Sequence, residues 1–173
     1  MGSLRDWMGS MAGEAVRAAV SGNGFTHTNG HGHGGSGRSR VEALCSEIGW
    51  SIDERIGNDG IVLHFRDPII RVRKIIVSCG SGGELIGIST LSEAALDAGR
   101  LPPAATAYLL HRNAELMFPA WQMGVGRDEN VRFTLAYCAM AQGLSAGFFK
   151  TLCETMVGEA RAFDEKMRES GLL

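Results

Sequence analysis

From residue 41 onward the apolar positions run in two rhythms, one near 3.6 residues and one of two, and each change of rhythm marks an element. Val41, Leu44, Cys45 and Ile48 share a helical stripe behind the capping-box pattern Ser39-Arg40-Val41-Glu42, and Gly49 is placed to end that helix. Ile52, Glu54 and Ile56 then alternate with their neighbours, Asn58-Asp59-Gly60 makes a hairpin turn, and Ile61, Leu63 and Phe65 line one face of the return strand. Asp67-Pro68 breaks that strand. The run from Ile69 to Cys79 is rich in β-branched residues, and Gly80-Ser81-Gly82-Gly83 turns the chain into a strand from Glu84 to Leu91. Every connection so far is too short for a crossover helix, which predicts an antiparallel meander.

A second capping-box pattern, Thr90-Leu91-Ser92-Glu93, predicts one or two helical turns between Thr90 and Gly99. Leu101-Pro102-Pro103 leads into a longer helix with Tyr108, Leu109, Leu116 and Met117 on its apolar side, ended by Pro119. Trp121 to Val125, a polar turn at Gly126 to Asn130, and the alternating Val131, Phe133, Leu135 and Tyr137 form a strand pair. Ser145 caps a final helix whose stripe is Phe149, Leu152, Met156, Phe163 and Met167, with Lys150–Glu154 and Arg161–Glu165 as i,i+4 pairs on its wetter side. The order α-β-β-β-β-α-β-β-α predicts an α+β fold, an antiparallel sheet of about five to six strands flanked by helices.

Composition changes near residue 40. Ser21 to Arg40 is mostly Gly, Ser, Asn, Thr and His, a mixture that cannot bury enough surface to offset its ordering entropy. The expected organisation is a flexible Gly/His-rich arm over 1–40 and a single domain over 41–173. Ahead of the Gly-rich part, Leu4, Trp7, Met8, Met11 and Ala15 recur at helical spacing and predict a short amphipathic helix. Residues 1–40 carry four Arg against Asp6 and Glu14, a net charge of +2, which leaves −4 for the remainder of a chain whose formal charge is −2. That balance argues against a nucleic-acid partner, which needs clustered cations. No apolar run approaches the ~20 residues of a membrane helix. The first six residues mimic a myristoylation signal but place Asp6 where Ser or Thr is needed, and Met8 to Val20 is too interrupted for a secretory signal. The cytoplasm is the expected compartment.

Candidate chemistry is sparse. Cys45, Cys79, Cys138 and Cys153 form no CxxC pair and each sits in an apolar pattern, so all four are expected to be core thiols. His27, His31 and His33 could ligate Zn, Ni or Cu through imidazole nitrogen, and a metal-binding arm is one alternative function. Cys79-Gly80-Ser81-Gly82-Gly83 has neither the Lys-Ser/Thr nor the following helix of a phosphate loop, so its glycines are read as turn residues. A small hydrolase built on Cys79 is the other alternative. His64 and His111 lack a triad spacing. Arg66, Arg71, Arg73 and Lys74 could face an acidic partner, and a solvated strand face explains them equally well. No catalytic residue and no cofactor are expected.

The Pro-led middle helix closes in Leu109-Leu110-His111-Arg112-Asn113-Ala114-Glu115-Leu116-Met117. Together with the strand pair Trp121–Val125 and Val131–Met140 and the long Phe- and Ala-rich last helix, it resembles the YbjN-like family, which shares its fold with the type III secretion chaperones. The resemblance spans about residues 40 to 170. It implies a non-enzymatic domain, commonly a homodimer, that binds an extended segment of a protein partner and dimerises through the middle helix and the next strand. The expected partner or dimer interface is Leu109, Asn113, Leu116, Trp121, Met123 and Phe133. The long arm and a pI near 6.2 favour the broader family over the secretion subset. Independently, one sheet with three helices leaves apolar surface over, and Trp121 and Met123 alternate on a strand placed near an edge.

Overall fold

The computed structural model describes residues 37–173 except positions 58, 81, 82 and 127. The predicted amphipathic stripe and the His-rich run lie outside the described residues. The elements are α1 (Gly37–Glu47), β1 (Glu54–Ile56), β2 (Gly60–Asp67), β3 (Arg71–Cys79), β4 (Leu85–Asp97), α2 (Pro103–Glu115), β5 (Ala120–Val125), β6 (Asn130–Met140) and α3 (Ala146–Glu169). Six strands form one antiparallel sheet in the order β1-β2-β3-β4-β6-β5. The class is α+β, with the element order the sequence predicts.

Register explains the core. Ile61 opposite Val77, Val77 opposite Ile88, and Ile88 opposite Tyr137 put one set of alternating side chains on one face. Helix α3 covers that face with Phe149, Leu152, Met156, Ala160, Phe163 and Met167, and α1 adds Val41, Leu44 and Cys45. Each large apolar side chain buried this way contributes roughly 1.5–3 kcal/mol. Ser145 caps α3 as expected, its hydroxyl accepting from Phe148 N at 3.2 Å. Helix α2 lies beside α3 at the β5 end, with Leu109 in the core and the Tyr108 and Phe163 rings 6.0 Å apart. Among the described residues no helix packs on the opposite face.

Two sequence expectations are corrected. Helix α1 already runs from Gly37, so Ser39 lies inside it and is not its N-cap. The expected helical turns after Thr90 are strand: β4 continues to Asp97, with a bulge between Leu91 and Ala95. Ser92 bonds as a capping serine can, accepting from Ala94 N at 2.9 Å. Yet its hydroxyl also donates to Asp164 of α3, which accepts from Glu93 N at 3.0 Å as well. The side-chain bonds that can start a helix here pin a bulge to the helix above it. A single 3₁₀ turn, 98–100, follows.

Candidate protein-binding face and edge

The centre of the helical face is polar. Arg73, expected to face an acidic partner or solvent, is fully buried. It stands in step with Ile75 and Val77, so its guanidinium enters the core and donates to Asp67 at 3.0 Å, to the Leu91 carbonyl at 2.9 Å and to Asp164 at 2.6 Å. Burial pushes the Asp67 carboxyl up, but Arg73 and the N–H groups of Ile69 and Ile70 together hold it below its ordinary range. Arg161 turns to Asp67 at 3.5 Å rather than pairing with Glu165. The cluster ties β2, β3, the β4 bulge and α3 together, and its groups are spent on one another.

At the other end of the sheet, Asn113 of α2 reaches the edge strand. Its amide donates to the Trp121 carbonyl at 3.0 Å and its oxygen accepts from Trp121 N at 2.6 Å. The Trp121 backbone therefore points away from β6, and by the two-residue period so do the N–H and C=O groups of Met123 and Val125. Those two side chains are 42% and 65% exposed. Trp121 itself is core at 5% exposure, and its indole donates to Glu159 at 3.2 Å. Burial raises the Glu159 carboxyl, and the bonds from Arg112 and the Trp121 indole more than reverse it. Of the six residues expected at an interface, Leu109, Trp121 and Phe133 are buried within this chain, Asn113 and Leu116 are half-buried, and Met123 is exposed. Exposed apolar surface nearby comes from Leu110, Met117, Phe118 and Val125, of which Met117 had been placed on the inner side of its helix.

The helix-free face has an unusual lining. Ile76 and Ser78 on β3, Gly87 and Ser89 on β4, and Ala136 and Cys138 on β6 occupy its middle, with Leu85 and Met140 at the β3–β4 hairpin end. From that hairpin to Ile76, Ser89 and Ala136, none of the outward positions on β3, β4, β6 or β5 is charged. The charges of this face, including Lys74 on one side and Asp97 and Arg132 on the other, lie beyond it. Gly87 gives the trough its depth, since a Cβ there would stand 2.9 Å from the Ser78 hydroxyl. Thr134, on this face between Leu91 and Gln122, is 7% exposed, and its hydroxyl has no hydrogen-bond partner among the described residues. Such an orphaned group costs about 1–3 kcal/mol. An antiparallel sheet with one face to water ordinarily lines it with polar residues.

Reactive chemistry finds little support. Burial pushes the Cys45 thiol up to about 11 and Cys153 higher still, and burial with Asp59 raises Cys79 against a smaller opposing pull from Arg38. A raised thiol pKa keeps the nucleophilic thiolate scarce at neutral pH. Cys138 is exposed on the helix-free face, which corrects its expected place in the core. A shallow depression of about 340 Å³ is lined by Ser51, Asp53 and His64 among others, a set that superficially suggests a triad. The His64 Nε2 lies 2.9 Å from Glu54, however, so a carboxylate stands where a nucleophile would have to be. His111 pairs with Glu115 at 3.2 Å. Among the described residues no group of three or more His, Cys, Asp or Glu is placed to hold a metal ion; His27, His31 and His33 are outside them. No described helix is long and apolar enough to cross a membrane.

No protein-family model matches the chain, and no curated protein matches it in sequence. Solved structures match it in fold. The Yersinia pestis type III secretion chaperone SycH, in complex with a stable fragment of YscM2, aligns with a TM-score of 0.50 at 13% identity, over 74% of this chain and 99% of that one. YbjN from E. coli gives 0.55 at 16% identity over 79% and 94%. The HopA1–SchA chaperone–effector complex gives 0.52 at 10% identity over 74% and 92%. The domain has the type III secretion chaperone-like fold. Identities this low speak to fold alone.

Proposed function

We propose that this domain is a non-enzymatic protein-binding module, chaperone-like or regulatory, that receives an extended segment of a protein partner on the helix-free face of its sheet. The observation that carries the proposal is the lining of that face: a shallow, uncharged trough of apolar and small residues over an unpaired buried hydroxyl, where solvent-facing polar residues are the rule. The fold supports it, because two of the matched structures are chaperones held with protein partners. The module acts as a homodimer. The β5 edge, with outward backbone groups at Met123 and Val125 and apolar Leu110 and Met117 close by in sequence, is the surface suited to a second copy.

Selection of random peptides on the full chain tests the binding role. Peptides with alternating apolar residues are expected, and Ala136→Glu should weaken them by roughly tenfold or more, the cost of an unpaired charge in an apolar seat. Peptides that bind the Ala136→Glu protein as well as the wild type would move the seat elsewhere. Turnover of a generic ester or peptide substrate, abolished by Cys79→Ser, would replace the proposal with the hydrolase.

A further inference from the structure

We propose that the chain's own N-terminal segment, residues 4–15, occupies the helix-free face in the free protein and is displaced when a partner segment binds. This rests on the reading of that face as a seat for protein segments. Three observations select this occupant.

The first is where the described chain begins. Gly37 packs so closely on the β3–β4 hairpin that a Cβ there would lie 2.7 Å from the Gly83 carbonyl oxygen. The described chain therefore begins at the hairpin, the end of the trough marked by Leu85 and Met140. The second is length. Residues 16–36 give 21 residues of chain, largely Gly, Ser, Asn and Thr towards their end, and a Gly-rich chain of that length has a root-mean-square span of roughly 25 Å. The distance from Gly83 to Ser89 along the strand is on the order of 20 Å. At that reach the segment is present at an effective concentration of around millimolar, well above what a second copy supplies at micromolar protein.

The third is chemistry. Leu4, Trp7, Met8, Met11 and Ala15 make one apolar stripe, and as a helix they span about 18 Å, a match for a trough three strands wide and about five residues long. Flexible Met and flat Trp side chains suit a surface of Gly, Ala and Ser, which offers shallow relief rather than deep pockets. The trough also holds the unpartnered Thr134 hydroxyl, and among the stripe's side chains the Trp7 indole is the hydrogen-bond donor.

Cys138 lies in the trough and reports on its cover. Full-length wild type and full-length Trp7→Asp/Met8→Asp/Met11→Asp are exposed to N-ethylmaleimide, and the rate at Cys138 is followed by peptide mass spectrometry. Wild type should react roughly tenfold more slowly than the variant, at a rate unchanged by 100-fold dilution, as an intramolecular cover requires. Buried Cys45 and Cys153 should stay unreactive in both, which shows that the variant is folded; if they react, the single Trp7→Ser protein carries the comparison. Equal Cys138 rates would overturn the proposal while leaving peptide binding at the face untouched. A wild-type rate that rises on dilution would assign the cover to a second copy.

Discussion

At the scale of single residues, Arg73 is the most consequential side chain in the core. With no solvent access, it neutralises Asp67 and Asp164 and fills all three bonds with its fork. Arg73→Leu keeps much of the bulk but leaves two carboxylates without their cation, and it is expected to cost about 3–5 kcal/mol. Arg168→Ala, which breaks the exposed pair with Glu93 at 2.7 Å, should cost within about 1 kcal/mol. Urea denaturation of the two proteins checks the contrast, and near-equal midpoints would mean that the buried cluster is not the fastening described. The sequence held a sign of Arg73's burial that composition obscured. Its parity matches Ile75 and Val77, and parity decides the face even for a charge. The same parity sets Cys138 apart from Tyr137 and puts it outside, despite apolar neighbours on both sides. Buried partners such as Asp164 were out of reach, because no local pattern pairs residues 91 positions apart.

At the scale of elements, hydrophobic period gave the six strands and three helices in order, because each element buries one face and the period records it. It failed at Thr90–Glu93, where a capping-box pattern met a tertiary partner: Asp164 accepts from Ser92 and Glu93 and holds the segment as a bulged strand. Local side-chain bonding was legible there, but its recipient was not. The joint between α2 and β5 gives a second element-scale test. Asn113 satisfies both outward backbone groups of Trp121, which a carboxylate cannot do, since it accepts without donating. Asn113→Ala is expected to destabilise the domain by about 1–3 kcal/mol. Asn113→Asp should fare no better than partial rescue, and thermal melts would contradict this account if Asn113→Asp matched the wild type.

At the scale of the molecule, the sheet has one face committed to helices and one that no described helix covers, and the sequence showed only half of that. Alternation identified the buried side; it could not tell that the small, uncharged residues Gly87, Ser89 and Ala136 align across β4 and β6, because register is set by pairing. Three of the residues expected at an interface, Leu109, Trp121 and Phe133, are buried within this chain. Trp121 is core and bonded to Glu159, so Trp121→Glu should unfold the chain rather than give a clean monomer. The dimer test belongs at Met123. Light scattering of the wild type should give close to twice 18.5 kDa, and Met123→Lys should give a folded protein of one chain's mass. A single-chain mass for the wild type across the micromolar range would end the dimer proposal.

The central claim is that an extended protein segment sits on the helix-free face. The most direct measurement is photo-crosslinking of a selected peptide carrying a benzophenone side chain to the full-length protein, with the adducts located by mass spectrometry. Adducts on β3, β4 and β6, at or beside Ile76, Ser89 and Ala136, are the predicted result. Adducts confined to the outer surfaces of α1 and α3, or to the depression lined by Ser51 and His64, would contradict the account.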